Sequence, residues 1–322
     1  MPRSTRTTSK PKVLIQSRDV QIFKLLYDFR MLTADAVAQL AGPVEEKVAK
    51  DEYQFRDGRD SIIKRLKLLS AADYINTIKK PGQKYIYTLG RKAADILAQQ
   101  EGIPLEELNK SLDLQRRSER YFDHALMVSE FHAMLALAVQ QRPNLKLLTW
   151  LNASEQLDTK VTISPVMLTE ATRKWKTQDQ LNLELPISPD AVFGLQDEKG
   201  KFYFMFEADR ATMPNKRFLQ KLTAYYYFWA LDQCSDWSVK AGIDPDNKAI
   251  EHFRVITYTT SPKRQENLVN TALQAIPEGE ELEMFWFTNQ TLVDAEKPET
   301  VFEQIFYAAQ SDELNHPHSL LE

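Results

Sequence analysis

Five consecutive apolar or aromatic residues, Phe202-Tyr203-Phe204-Met205-Phe206, run without a break into Glu207-Ala208-Asp209-Arg210. An uninterrupted run of this kind predicts a central β-strand buried on both faces. Side chains alternate along a strand, so Glu207 and Asp209, two residues apart, leave it on one face. A turn at Asp197-Glu198-Lys199-Gly200 joins the run to a shorter strand at Ile187–Phe193, led in by Pro189 and Asp190. Downstream, the apolar spacing predicts a helix over 216–231, strands over 252–259 and 283–287, and a helix over 265–275 between them. Upstream, strands are expected at 145–151 and 161–168, preceded by a strongly apolar helix from Tyr121. The five rings Tyr225–Trp229 face all sides of a helix, which makes several of them core rather than a base-stacking surface.

The first hundred residues read differently. Ser17 caps a helix whose apolar positions include Val20, Phe23, Leu26 and Phe29, and Thr33 caps a second that stops at Gly42-Pro43. The stretch 44–57, rich in Glu and Lys, reads as an insertion loop or an exposed helix. A third helix over 59–69 carries the apolar seam Ile62, Ile63, Leu66 and Leu69, leaving Arg59, Lys64, Arg65 and Lys67 largely on the outer face. Two β-prone runs, 74–80 and 84–89, flank Pro81-Gly82 and make a hairpin, followed by a helix over 93–99. Three helices and a two-stranded wing are the order of a winged helix-turn-helix. The ending Tyr85-Ile86-Tyr87-Thr88-Leu89-Gly90 resembles the helix–wing ending of many bacterial winged-helix regulators.

Charge separates the two halves. Residues 1–92 hold 19 Lys and Arg against 10 Asp and Glu, a net of +9, while the remainder holds 22 against 35, a net of −13. A basic module suited to a polyanion is thus joined to an acidic one. Arg56, Arg59, Lys64, Arg65 and Lys67 are candidates for base or phosphate contacts, with Lys79, Lys80 and Lys84 of the wing on the adjacent backbone. The single cysteine, Cys234, excludes an intramolecular disulfide and fits a reducing cytoplasm. The longest apolar stretch, 125–139, is interrupted by Glu130 and His132, so no membrane partner is expected. His124 and His132 are eight apart, not the four a helical metal pair needs, and read as ordinary polar positions. A phosphate loop of the GxxxxGK[ST] type is missing from the sequence, which argues against an ATP-driven helicase.

The order of helix, strands, Pro189-Asp190, hairpin, Glu207-x-Asp209 and helix resembles the restriction-endonuclease-like fold with its PD-(D/E)xK motif. Carried over, the resemblance makes Asp190 and Glu207 the Mg²⁺-binding acids and Glu130 the acid of the first helix. Asp209 occupies the place of the motif lysine, and Lys221, on the next helix, is the candidate to replace it. More narrowly, the strings SPDAVF (188–193), FMFEADRAT (204–212) and KRFLQKLTAYYYFWA (216–230) behind a winged helix resemble the replication-relaxation family of plasmids and mobile elements. That resemblance spans roughly residues 15–290.

The expectation is an α+β multidomain protein, a winged helix-turn-helix followed by an α/β restriction-endonuclease-like domain. Its segments are a disordered basic arm (1–16), the DNA-binding domain (17–100), a linker helix (101–120), the nuclease-like domain (121–310) and a flexible tail (311–322) containing His316-Pro317-His318. Arg116, Arg117 and Arg120 of the linker either extend the DNA-facing surface or form a solvated helix face. Three functions compete. A cytoplasmic regulator would bind double-stranded DNA, as a homodimer on a palindromic site, and do no chemistry. A nuclease or nickase would use Asp190, Glu207 and Mg²⁺, with no other cofactor implied. An adaptor would recruit a relaxase or replication protein through the acidic domain.

Overall fold

The computed structural model describes residues 11–42, 44–49, 52–56, 58–79, 82, 84–112, 119–152, 159–168, 170–175, 181–274, 283–309 and 316–322. These fall into two compact units, 1–133 and 134–322, in a mixed α+β architecture with several sheets.

The first unit opens with α1 (Ser17–Asp28), β1 (Met31–Thr33) and α2 (Ala34–Ala41). Gln16, not Ser17, caps α1: its backbone N–H donates to Asp19 at 2.8 Å and its side chain accepts in return, a reciprocal box that Ser17 has no matching acid to form. Thr33 caps α2 by accepting from the Ala36 N–H at 3.2 Å, and Gly42 ends it at a φ of 71°. The Glu/Lys-rich stretch is neither loop nor helix but the antiparallel pair β2 (Val44–Ala49) and β3 (Glu52–Arg56). Tyr53 and Phe55 alternate there with polar residues, a period-two pattern that the surrounding charge disguises.

Then follow α3 (Arg59–Ala71), β4 (Ile75–Ile78), β5 (Ile86–Leu89), α4 (Arg91–Gln100), α5 (Leu105–Leu112) and α6 (Glu119–Gln140). The expected hairpin is present, and β1 adds a third strand along β5, too short to signal itself in sequence. Gly90, between β5 and α4, lies so close to β4 that a Cβ would stand 2.4 Å from the Tyr74 carbonyl oxygen. Ile22, Phe23, Leu26, Val37, Leu66 and Leu69 are wholly buried. α6 is, by length and composition, apolar enough to cross a membrane, contrary to the expectation from its interrupting polar residues, yet 67% of its apolar window is buried inside the protein. His132 is buried on α6 against Phe29, ring centroids 4.1 Å apart, where burial and then Arg30 hold it well below the usual histidine range.

The second unit contains β6 (Lys146–Asn152), β7 (Thr159–Ile163), α7 (Glu170–Arg173), β8 (Leu183–Ile187), β9 (Ala191–Gln196) and β10 (Lys201–Asp209). After these come α8 (Asn215–Ala230), α9 (Gln233–Lys240), β11 (Arg254–Thr259), α10 (Pro262–Ala272), β12 (Phe285–Asn289) and β13 (Tyr307–Ala308). The main sheet has the order β13-β12-β11-β10-β9-β6, with β10, β11 and β12 parallel and the other pairings antiparallel. The predicted central strand is indeed internal. Phe204 and Phe206 face one side with Phe193, Trp150 and Tyr258, while Met205, Val255, Phe285 and Phe287 face the core shared with α8 and α10.

A separate pair, β7 with β8, contributes Val161, Ile163, Leu185 and Ile187 to that same core. Of the five rings on α8, Tyr225 to Phe228 are buried and only Trp229 is exposed, at 37%. The last residues are not a loose tail. His318 pairs with Phe306 and stacks on Trp286 at 4.9 Å, and Leu320 is fully buried. Residues 311–315 lie outside the described residues, as do Arg116 and Arg117 of the linker.

Candidate functional site

Two regions hold the residues singled out from the sequence. On α3, Ile62, Leu66 and Leu69 are turned inward while Lys64 and Lys67 are exposed. The neighbouring cations are engaged. Arg59 and Lys84 both bind Asp35, at 2.6 and 2.9 Å, and their hydrogen bonds, that of Lys84 foremost, hold its carboxyl below the usual range. Arg65 does not face outward as expected. Its guanidinium takes both oxygens of the buried Asp19, at 2.7 and 2.5 Å, and donates to the Leu14 carbonyl at 2.8 Å, tying α3 to the start of α1. Lys79 is exposed and rides over the Tyr85 ring at 5.2 Å. Arg56 ends β3 with its side chain outside the described residues, and Lys80 lies outside them altogether.

In the second unit the carboxyl ends of the parallel strands β10 and β11 form a polar rim roofed by α8 and α10. In open α/β sheets such a rim is the usual place for a ligand. Asp190, just before β9, accepts from the Ala208 N–H at 2.8 Å, which holds it beside the end of β10. Glu207 is buried, with Lys221 at 2.5 Å on one oxygen and the Tyr225 hydroxyl on the other. Lys221 and Tyr225 are one turn apart on α8 and reach the carboxylate together. Asp209 is drawn elsewhere. Arg264 of α10 grips both its oxygens, at 2.8 and 3.0 Å, and Thr259 donates at 2.9 Å. Glu130 is exposed on α6, within the first unit.

Burial pushes Glu207 from 4.5 up to about 7, against the pull of Lys221 and with the Asp190 charge adding to the rise. Burial works in the opposite sense on Lys221, but the carboxylates of Glu207 and Asp190 outweigh it and raise its pKa. Asp190, Glu207 and Lys221 are thus electrostatically one cluster. A resident Mg²⁺ would need oxygens that this cluster does not offer. Both oxygens of Glu207 accept from Lys221 and Tyr225, Asp209 is committed to Arg264, and among the described residues no group of three His, Cys, Asp or Glu is arranged to hold a metal. The residues present do not fit the ion in this arrangement.

The sequence pointed to Lys221 but missed Tyr225, Thr259 and Arg264. Tyr225 had a local signal, the four-residue spacing from Lys221. Arg264 had none, because it meets Asp209 from 55 positions along the chain. Thr257 is level with Glu207 across the β10–β11 pairing, and its buried hydroxyl has no hydrogen-bond partner among the described residues.

The replication-relaxation family model matches residues 23–239, two thirds of the chain. The protein belongs to the replication-relaxation family. No curated protein and no solved structure matches it. In this replication-relaxation protein the matched stretch carries Asp190, Glu207, Asp209, Lys221 and Tyr225, but ends before β11 and α10. The replication-relaxation match therefore covers the Glu207–Lys221–Tyr225 cluster whole, and ends before Thr259 and Arg264, which bind Asp209.

Proposed function

We propose that this replication-relaxation protein binds double-stranded DNA sequence-specifically for a plasmid or other mobile element, in replication, DNA relaxation or the control of those genes. Its first unit acts as a winged helix-turn-helix, with α3 in the major groove and the β4–β5 hairpin as the wing. The observation that carries this reading is the two-sided character of α3. Its apolar side is buried in the unit, and Lys64 and Lys67 project from the other while the cations around them are held by acids. Phosphate contacts from such lysines supply affinity and fix register, and base contacts add sequence choice.

The second unit is read as a restriction-endonuclease-like scaffold without nuclease activity, suited to recruit a relaxase or replication protein in the cytoplasm. The commitment of Glu207 to Lys221 and Tyr225, and of Asp209 to Arg264, supports that reading over hydrolysis. Exchanging Lys64 and Lys67 together for alanine is expected to weaken duplex binding and flatten its logarithmic salt dependence by roughly two units. An unchanged slope removes α3 from the interface. Supercoiled plasmid incubated with the protein and Mg²⁺ or Mn²⁺ is expected to stay intact. Nicking that vanishes in Glu207→Ala would move the function onto the second unit.

A further inference from the structure

The connections that leave the carboxyl ends of β10 and β11, and the first turns of the helices they enter, are basic within an acidic unit. Residues 134–322 carry 18 Lys and Arg against 27 Asp and Glu, a net of −9. Residues 210–231 nevertheless hold four cations and no acid, and residues 260–265 two cations and no acid. Arg264 joins the two stretches. Besides Asp209 it binds the Asn215 side chain at 3.1 Å and the Met213 carbonyl at 2.9 Å, so α8 and α10 start side by side. The rim holds these six cations against four acids, Asp190, Glu207, Asp209 and Glu266, while the rest of the unit holds 12 against 23. Lys221 and Arg264 are committed to Glu207 and Asp209. Lys216, Arg217 and Lys263 are exposed, and none of the three forms an ion pair among the described residues. α8 also begins at Pro214 without a side-chain cap, so the positive end of a 16-residue helix dipole adds to their charge.

Accessible cations gathered at one rim of a unit that is acidic elsewhere confine a polyanion to that rim. Among the described residues no aromatic ring is exposed there. Phe218, the ring in the first turn of α8, is 1% exposed, and Trp229 lies at the far end of that helix. A single strand draws much of its affinity from stacking on such rings, whereas a duplex keeps its bases inside and presents its phosphates. We infer that the rim of the second unit grips the phosphate backbone of duplex DNA through Lys216, Arg217 and Lys263, without sequence choice and without a metal ion. This contact is additional to the one assigned to α3 and does not rest on it.

The salt dependence of binding to a random duplex of about thirty base pairs, followed by fluorescence anisotropy in EDTA, tests it. Every protein is the full chain carrying Lys64→Ala and Lys67→Ala, so that failure of the α3 reading leaves the measurement at the rim standing. Lys216→Gln, Arg217→Gln and Lys263→Gln together are expected to weaken binding at about 0.1 M salt by roughly tenfold or more, and to flatten the logarithmic salt slope by roughly 2–3 units. Lys263→Gln alone, on the other helix, should remove about one unit of slope, which keeps the test standing if the triple variant does not fold. Lys146→Gln, Lys240→Gln and Lys248→Gln together remove the same charge from exposed positions outside the rim, and should leave the slope unchanged. Four results overturn the inference: no duplex binding at about 50 mM salt, a slope unmoved by the rim substitutions, equal flattening by the two triple variants, or tighter binding of an oligo-dT of the same length than of the duplex.

Discussion

Lys221 and Tyr225 close on Glu207 from one helix face, and the environment they create decides which form of the carboxyl the fold prefers. Free in the unfolded chain, Glu207 titrates near 4.5, and burial in the folded protein moves it to about 7. The folded state then holds the proton more tightly than the unfolded one. The stability this group contributes is complete below about 4.5 and is lost as pH rises towards and through 7, at a slope of at most about 1.4 kcal/mol per pH unit. Glutamine at 207 keeps the size and loses the titration. The melting temperature of the wild-type protein, measured against Glu207→Gln between pH 5 and 7.5, is therefore expected to lose ground steadily as pH rises. A wild-type advantage that grows with pH would show the carboxylate ionised and favoured in the fold, and would reopen its use as a metal ligand.

Among the elements, the ones that announce themselves in sequence are those whose signal is local. β10 was legible from its unbroken apolar run, α2 from Thr33 and Gly42, α8 from its apolar spacing, and Lys221 from its place on that helix. β1 and β13, three and two residues long, exist because a neighbouring strand has an edge to pair, and nothing within so few residues specifies that. β8 passed unseen because Pro186 interrupts its pattern, although the alternation of Leu183, Leu185 and Ile187 buries one face of it. Arg65 shows the same limit at a site. Helical spacing placed it beside Lys64 and Lys67, and only the tertiary structure joins it to Asp19, 46 positions earlier. Its removal should act on the fold rather than on DNA. Arg65→Ala leaves the Asp19 carboxylate, 1% exposed, without its guanidinium partner, expected to cost roughly 2–3 kcal/mol and lower the melting temperature of the first unit by on the order of 10 °C. Lys64→Ala with Lys67→Ala should change stability by no more than about 0.5 kcal/mol. Equal losses in the two proteins would mean that Arg65 does not brace α3 against α1.

On the scale of the whole molecule, the opposite charges of the two parts bear on the proposed binding of DNA. The +9 of residues 1–92 draws a polyanion in, and the −13 of the rest repels it, so the net charge of −4 is a poor guide to either. A field of this kind acts within about a Debye length, roughly 10 Å at 0.1 M salt and about 3 Å at 1 M. Repulsion from the acidic part should therefore hold down non-specific binding at low salt more than at high. Glu251, Glu266, Glu296 and Glu299 are exposed in the second unit, outside the core. Changing all four to glutamine raises the charge of that part from −13 to −9 without altering the α3 surface. Affinity for random duplex DNA is expected to rise severalfold at about 50 mM salt, with the gain shrinking as salt approaches 0.5 M. A gain that persists at high salt would mean the glutamines make new contacts of their own. No gain at low salt would mean the acidic part lies beyond electrostatic reach of the bound DNA, leaving its charge to serve a protein partner instead.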